Sequence, residues 1–119
     1  MVADKTFIEG LLVIKPKVFE DPRGYFFESY NEKLLQAAGL NAHFVQDNQS
    51  LSQKNVLRGL HFQAPPFAQG KLVRVIKGSV LDVVVDIRKK SPTYGKHFAL
   101  ELSEENKTTS ILRDLLSAD

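Results

Sequence analysis

The run "KLVRVIKGSVLDVVVDI", residues 71–87, constrains the fold of this chain more than any other stretch. Two blocks of β-branched and aliphatic residues flank Lys77-Gly78-Ser79, so the run reads as two strands joined in a hairpin. Along the second block Leu81, Val83, Val85 and Ile87 fall on one face, and Asp82, Val84, Asp86 and Arg88 on the other. The wholly apolar face is the expected core. Acids at alternate positions usually mark a solvated face, which is the expectation for Asp82 and Asp86; the alternative is a face lining a polar cavity. In the first block Lys71 shares a face with Val73 and Val75, opposite Leu72, Arg74 and Ile76.

The rest of the chain repeats this theme of short strands between turns. "FIEGLLVIKPKVFED" reads as one or two short strands broken by Pro16. "DPRGYFFESY" opens on turn residues and then runs aromatic. "NEKLLQAAGL" predicts a helix capped by Asn31 and stopped by Gly39, with Leu34, Leu35 and Ala38 as its stripe. "HFVQDNQSLSQ" reads as a short strand ending in a polar loop, "NVLRGLHFQ" as a strand, and "APPFAQG" as a stiff loop. After the loop "RKKSPTYGK" comes the strand "HFALELS". The end, "TTSILRDLLSAD", predicts a short helix capped by Ser110 with Ile111, Leu112, Leu115 and Leu116 as its stripe. Many short strands with little helix point to an all-β sandwich or barrel.

The 119 residues suffice for one domain and are too few for two ordinary ones. A net charge of +2, without a basic run carrying aromatics, argues against a nucleic-acid partner. The absence of cysteine removes disulfides, thiolate chemistry and cysteine-ligated metals. No apolar run is long enough for a membrane span, and the first residues lack a signal core, so the expected setting is cytoplasmic.

Within "VLRGLHFQAPP" an arginine and a histidine stand three apart, on opposite faces of a regular strand. A β-bulge at Gly59 would bring Arg58 and His61 to one side, lining a common pocket. The other reading makes His61 a structural histidine and Arg58 a surface charge. His43 and His97 read as structural or exposed, and no H-x-H or H-x₃-H spacing occurs, so a metal centre is disfavoured. "DPRGYFFE" offers Arg23 and Glu28 with Tyr25, Phe26 and Phe27, and "FVQDNQS" offers Gln46, Asp47, Asn48 and Gln49. An arginine fork suits phosphate and amides suit a base edge, although each stretch alone is more often turn chemistry.

Taken in order, "VFEDPRGYFFESYN", "FVQDNQSLSQKNVLRGLHFQAPPFAQGKLVRVIKGSVLDVVVDIRKKSPTYGK" and "LSEENK" resemble the dTDP-4-dehydrorhamnose 3,5-epimerase family over residues 6–107. The resemblance implies a cupin-like jelly roll working as a homodimer, a pocket for a dTDP-sugar, and no metal or organic cofactor. It implies inversion of C3 and C5 of dTDP-4-dehydro-6-deoxy-D-glucose in rhamnose biosynthesis. His61 matches the family's base and Lys71 the lysine near the sugar ketone. Arg58 matches an arginine at the diphosphate and sugar end. Arg23, Glu28, Gln46 and Asn48 match nucleotide-binding positions, with Phe26 in the same stretch. Arg23 and Glu28 are expected to reach toward a partner subunit's site.

Residues 108–119 depart from the pattern. The family's second pocket histidine, its general-acid tyrosine and the acid that orients its base lie in a continuation with no counterpart in this sequence. The expectation is a single domain over 1–119, a jelly roll incomplete at its C-terminus and closed by a short terminal helix, in which Asp82 (or Asp86) stands in as orienting acid. Two alternatives remain: a related dTDP-sugar 5-epimerase or ketoisomerase, and a non-catalytic nucleotide-sugar-binding remnant.

Overall fold

The computed structural model describes residues 1–40, 43–60 and 70–112, and the backbone of 116–118. Nine strands and one helix follow in order: β1 (Val2–Lys5), β2 (Leu11–Lys15), β3 (Val18–Asp21), β4 (Gly24–Phe27), α1 (Glu32–Ala37), β5 (Lys71–Arg74), β6 (Ser79–Val85), β7 (His97–Ser103), β8 (Thr109–Leu112) and β9 (Leu116–Ala118). They form a four-stranded sheet in the order β1-β2-β8-β5, a three-stranded sheet β7-β6-β9, and a separate two-stranded hairpin β3-β4.

Register assigns the two faces of the four-stranded sheet. Leu11 and Lys71 both stand opposite Leu112, and Val13 and Val73 both stand opposite Ser110. These six residues share one face, because directly paired residues in an antiparallel ladder point the same way. That face meets the three-stranded sheet: Leu11 and Leu112 pack with Ile8 and with Val84 of β6, and Phe98 closes the cluster. The opposite face carries Leu12, Ile14, Ile111 and Leu72, which pack under Leu35 and Leu40 around α1. Fully burying each such side chain is worth roughly 1.5–3 kcal/mol.

The helix forms where the sequence places it. Asn31 accepts a hydrogen bond from the Leu34 amide, and Gly39 takes a φ of +94° to end the turn. Leu35 is its buried residue; Leu34 is largely exposed. The break at Pro16 separates β2 from β3, and the strand at "HFALELS" is β7 to the residue.

Four expectations are corrected. The strands β5 and β6 do not pair with one another: β5 pairs with β8, β6 pairs with β7 and β9, and the turn at Gly78 carries the chain between sheets. A local turn signal predicts a change of direction and cannot name the partner strand. The faces of β6 are also inverted. Asp82, Val84 and Asp86 are buried, whereas Leu81 is 60% exposed. The burial is offset by hydrogen bonds, from Ser110 to Asp82 and from Arg88, Ser91 and Thr93 to Asp86. The terminal helix does not form. Thr109–Leu112 is a strand inserted between β2 and β5, followed by β9, since pairing on both edges outweighs the weak propensity of a short segment. Finally, residues 43–53 contain no strand, and neither does the described part of "NVLRGLHFQ", Val56–Leu60; the rest of that stretch lies outside the described residues.

Candidate functional site

The space between the two sheets receives three polar side chains from different strands. Lys71 projects from β5 on the face that carries Ser110 and Val73, and it is half-buried. Asp82 projects from the middle of β6 toward the same space and is 1% exposed. Ser110 on β8 donates its hydroxyl to Asp82 Oδ2 at 2.9 Å. The expectation that Lys71 points inward therefore agrees with its register, and the reading of Asp82 as a solvated surface acid does not hold.

His61 lies outside the described residues. Gly59 is described and lies in no strand, so the expected β-bulge there is not formed; the pairing of His61 with Arg58 lies outside the described residues. Arg58 itself is exposed, and its Nε donates to Ser52 Oγ at 2.8 Å. Gln46 and Asn48 are exposed neighbours joined by a 3.1 Å hydrogen bond between their amides. Arg23 sits in the two-residue turn between β3 and β4, where Asp21 stands opposite Gly24. Its guanidinium grips Asp21 through Nη2 at 2.6 Å, which holds the Asp21 carboxyl below the usual range and the guanidinium above it. Phe26 on β4 is 71% exposed, opposite the exposed Phe19. Glu28 accepts from the Asn31 amide at 3.0 Å. The hairpin is tied to the body where Lys107 Nζ lies 4.2 Å from the Tyr25 ring centroid. The candidate residues thus divide into two groups. Lys71 and Asp82 line the inter-sheet space, while Arg23, Phe26, Glu28, Gln46, Asn48 and Arg58 stand on outward segments.

Two further features bear on the site. A cavity of about 680 Å³ opens beside the β1–β2 turn and the end of α1, lined by Lys5, Phe7, Glu9, Gly39 and Arg88 among others, and contains none of the expected site residues. Two of its polar groups serve the fold: the Thr6 hydroxyl bonds the Ile8 and Leu11 carbonyls, and Arg88 bonds Asp86 and the Glu9 carbonyl. Asp86, on the same face as Asp82, is fully buried and accepts from Arg88, Ser91 and Thr93, at 2.6 Å from each hydroxyl. Chiefly through Arg88, its carboxyl is held well below the usual range. With its oxygens bound to its own loop and to Arg88, Asp86 is a structural anchor. Ser110 is the polar wall residue that sequence reasoning missed. Nothing local marks it, because its partner is 28 positions away.

A family model described as dTDP-4-dehydrorhamnose 3,5-epimerase matches residues 5–113. The chain belongs to that family. Among its relatives, the dTDP-4-dehydrorhamnose 3,5-epimerase of Shigella flexneri is 58% identical over 104 residues, covering 87% of this chain and 58% of the relative. The crystal structure of the Elizabethkingia anophelis enzyme of that name superposes with a TM-score of 0.91 at 49% identity, covering 99% of this chain and 66% of that one. A dTDP-6-deoxy-D-glucose-3,5-epimerase from Legionella pneumophila, solved with dTDP-4-keto-L-rhamnose, superposes with a TM-score of 0.92 at 44% identity, covering 98% of this chain and 63% of that one. The sandwich is the cupin-like jelly roll of these epimerases. This chain spans a little over half the length of the curated relatives it matches. No helix among the described residues is long and apolar enough to cross a membrane, and no group of three His, Asp or Glu side chains among them could hold a metal ion.

Proposed function

We propose that this chain carries the proton-transfer half of a dTDP-4-dehydrorhamnose 3,5-epimerase site, acting on dTDP-4-dehydro-6-deoxy-D-glucose. The observation that carries the reading is the inward placement of Lys71 and Asp82 on facing sheets of a family jelly roll. It is supported by the product-like sugar nucleotide bound to the Legionella relative.

The chemistry assigns the roles. Protons on C3 and C5 are acidic because the carbanion left behind conjugates with the C4 ketone. His61 takes the proton from one face, a task suited to a group titrating near neutrality. The Lys71 ammonium stabilises the enolate oxygen where charge develops. A proton then returns to the opposite face of the same carbon, so no redox partner enters. Asp82 orients the base. Arg58 grips the diphosphate and sugar end, and Arg23, Phe26, Glu28, Gln46 and Asn48 hold the nucleotide. Arg23 and Glu28 serve the neighbouring subunit of a homodimer, consistent with their position on a hairpin that stands apart from both sheets. The setting is the cytoplasm.

A second reading places the same residues in a related dTDP-sugar enzyme, in which a proton is removed and inversion at both carbons does not follow. Incubation with the ketosugar in D₂O separates the two, with deuterium read at C3 and C5. Label at both carbons with inverted product is the expected outcome. Label without inversion establishes the second reading, and no label with dTDP still bound removes the catalytic assignment.

A further inference from the structure

The Asp82–Ser110 hydrogen bond is unusual for its setting. Its partners come from different sheets, both side chains are at most 2% exposed, and it joins the inner faces at the level of Val73, two residues along β5 from Lys71. Ser110 is itself fixed on two sides, opposite Val13 of β2 and Val73 of β5 in the middle of the four-stranded sheet. A hydroxyl on a central strand has little freedom to wander. A carboxylate that accepts from it has its plane set by the fold and not by solvent.

We propose that Ser110 is a positioning residue for this pocket: held rigidly on β8, it fixes the Asp82 carboxylate on the inner wall that faces the sheet carrying Lys71. Burial alone does not decide which Asp82 oxygen faces the pocket. The Ser110 hydroxyl engages Oδ2 and thereby sets the direction of Oδ1. The bond also favours the ionised form, since a donor to a carboxylate stabilises its charge. Among the described residues the titratable groups on the faces packed around Asp82 are Lys71 on β5 and Asp86 just past the end of β6; β2 and β7 present Leu11, Val13, Phe98, Leu100 and Leu102 there. Supporting groups of this kind commonly change activity by about 10–100-fold when removed. The catalytic consequence rests on the proposed epimerase reading, whereas the carboxylate geometry does not.

The test compares Ser110→Ala with Ser110→Thr, which restores the hydroxyl on a residue suited to a strand. With ¹³C-labelled aspartate, the Asp82 carboxyl signal is identified by its loss in Asp82→Asn and followed through a pH titration. The expected result is an upward move of its midpoint in Ser110→Ala and its return in Ser110→Thr. In parallel, deuterium exchange into the ketosugar should fall at least about tenfold in kcat in Ser110→Ala, with KM within about twofold. An unchanged carboxyl titration overturns the proposal, as does a loss of melting temperature with kcat intact. Should Ser110→Ala fail to fold, Ser110→Cys keeps the volume, weakens the donor and carries the same comparison. If the unmodified protein exchanges no deuterium, the epimerase reading fails, and the carboxyl titration still decides the role of Ser110.

Discussion

The molecule contains the same small motif twice, an aspartate followed two residues later by an arginine that folds back onto it. In the β3–β4 turn the pair is Asp21 and Arg23; after β6 it is Asp86 and Arg88. Both aspartates accept from the arginine backbone amide and from its guanidinium, and both carboxyls are held below their usual range chiefly by that guanidinium. Their surroundings differ completely. The Arg23 side chain is 90% exposed, and Asp21 is the partner it touches. Asp86 is sealed from solvent, takes two further hydroxyl donors, and shares Arg88 with the Glu9 carbonyl across the fold. One motif is a local turn device whose guanidinium keeps a face toward solvent. The other is a knot that ties the β6–β7 loop to the β1–β2 turn. A hydrogen-bond pattern alone therefore does not tell a gripping arginine from a structural one; burial and remote partners do.

Breaking the buried knot should have the largest effect. Asp86→Asn removes the charge that Arg88, Ser91 and Thr93 surround, and leaves the guanidinium poorly matched. Loss of one partner of a buried pair costs about 3–5 kcal/mol, to be read by urea unfolding. The effect has a pH signature. Because the folded carboxyl titrates below its ordinary value near 3.8, its contribution is complete above that pH and drains away as pH falls toward the folded value. The unmodified protein should therefore lose stability in acid more steeply than Asp86→Asn.

Ser91→Ala sharpens the comparison at smaller scale. It removes one donor, at 2.6 Å, from a carboxylate that keeps its others, so a loss of about 1–2 kcal/mol is expected by the same measurement. Arg23→Ala tests the opposite arm. The exposed pair should contribute nothing measurable to melting temperature. If Arg23 grips the nucleotide, calorimetry should show dTDP binding weakened about tenfold or more, as expected for loss of a charge-assisted contact. Weaker melting with unchanged binding would make the two motifs alike in role.

What could be read from the sequence was whatever local rules control. Asn31 and Gly39 bracket α1, Pro16 divides β2 from β3, and the alternation in "HFALELS" marks β7. What could not be read depends on partners far along the chain. Asp82 looks solvated until Ser110 is placed against it, and Asp86 looks solvated until Arg88, Ser91 and Thr93 close around it. Ile111 and Leu112 suit a helix or a strand equally well, and two flanking strands decide the matter. The family pattern nominates the residue types of the candidate site. Its division into an inner wall and an outer rim was not legible, because that follows from sheet register.

The central position of β8 has a consequence for how the protein comes into being. Leu11 and Leu12 find their partners in Leu112 and Ile111, roughly a hundred residues further along, a separation that places the sheet among slowly closing, non-local topologies. During synthesis β1 and β2 emerge early as a lone ribbon, and β5 follows without a neighbour in its own sheet. The slot between β2 and β5 stays open until the segment around Thr109–Leu112 has left the ribosome. The wall that holds Ser110 is thus among the last parts of the described fold to assemble, and it arrives as a keystone set between two waiting edges.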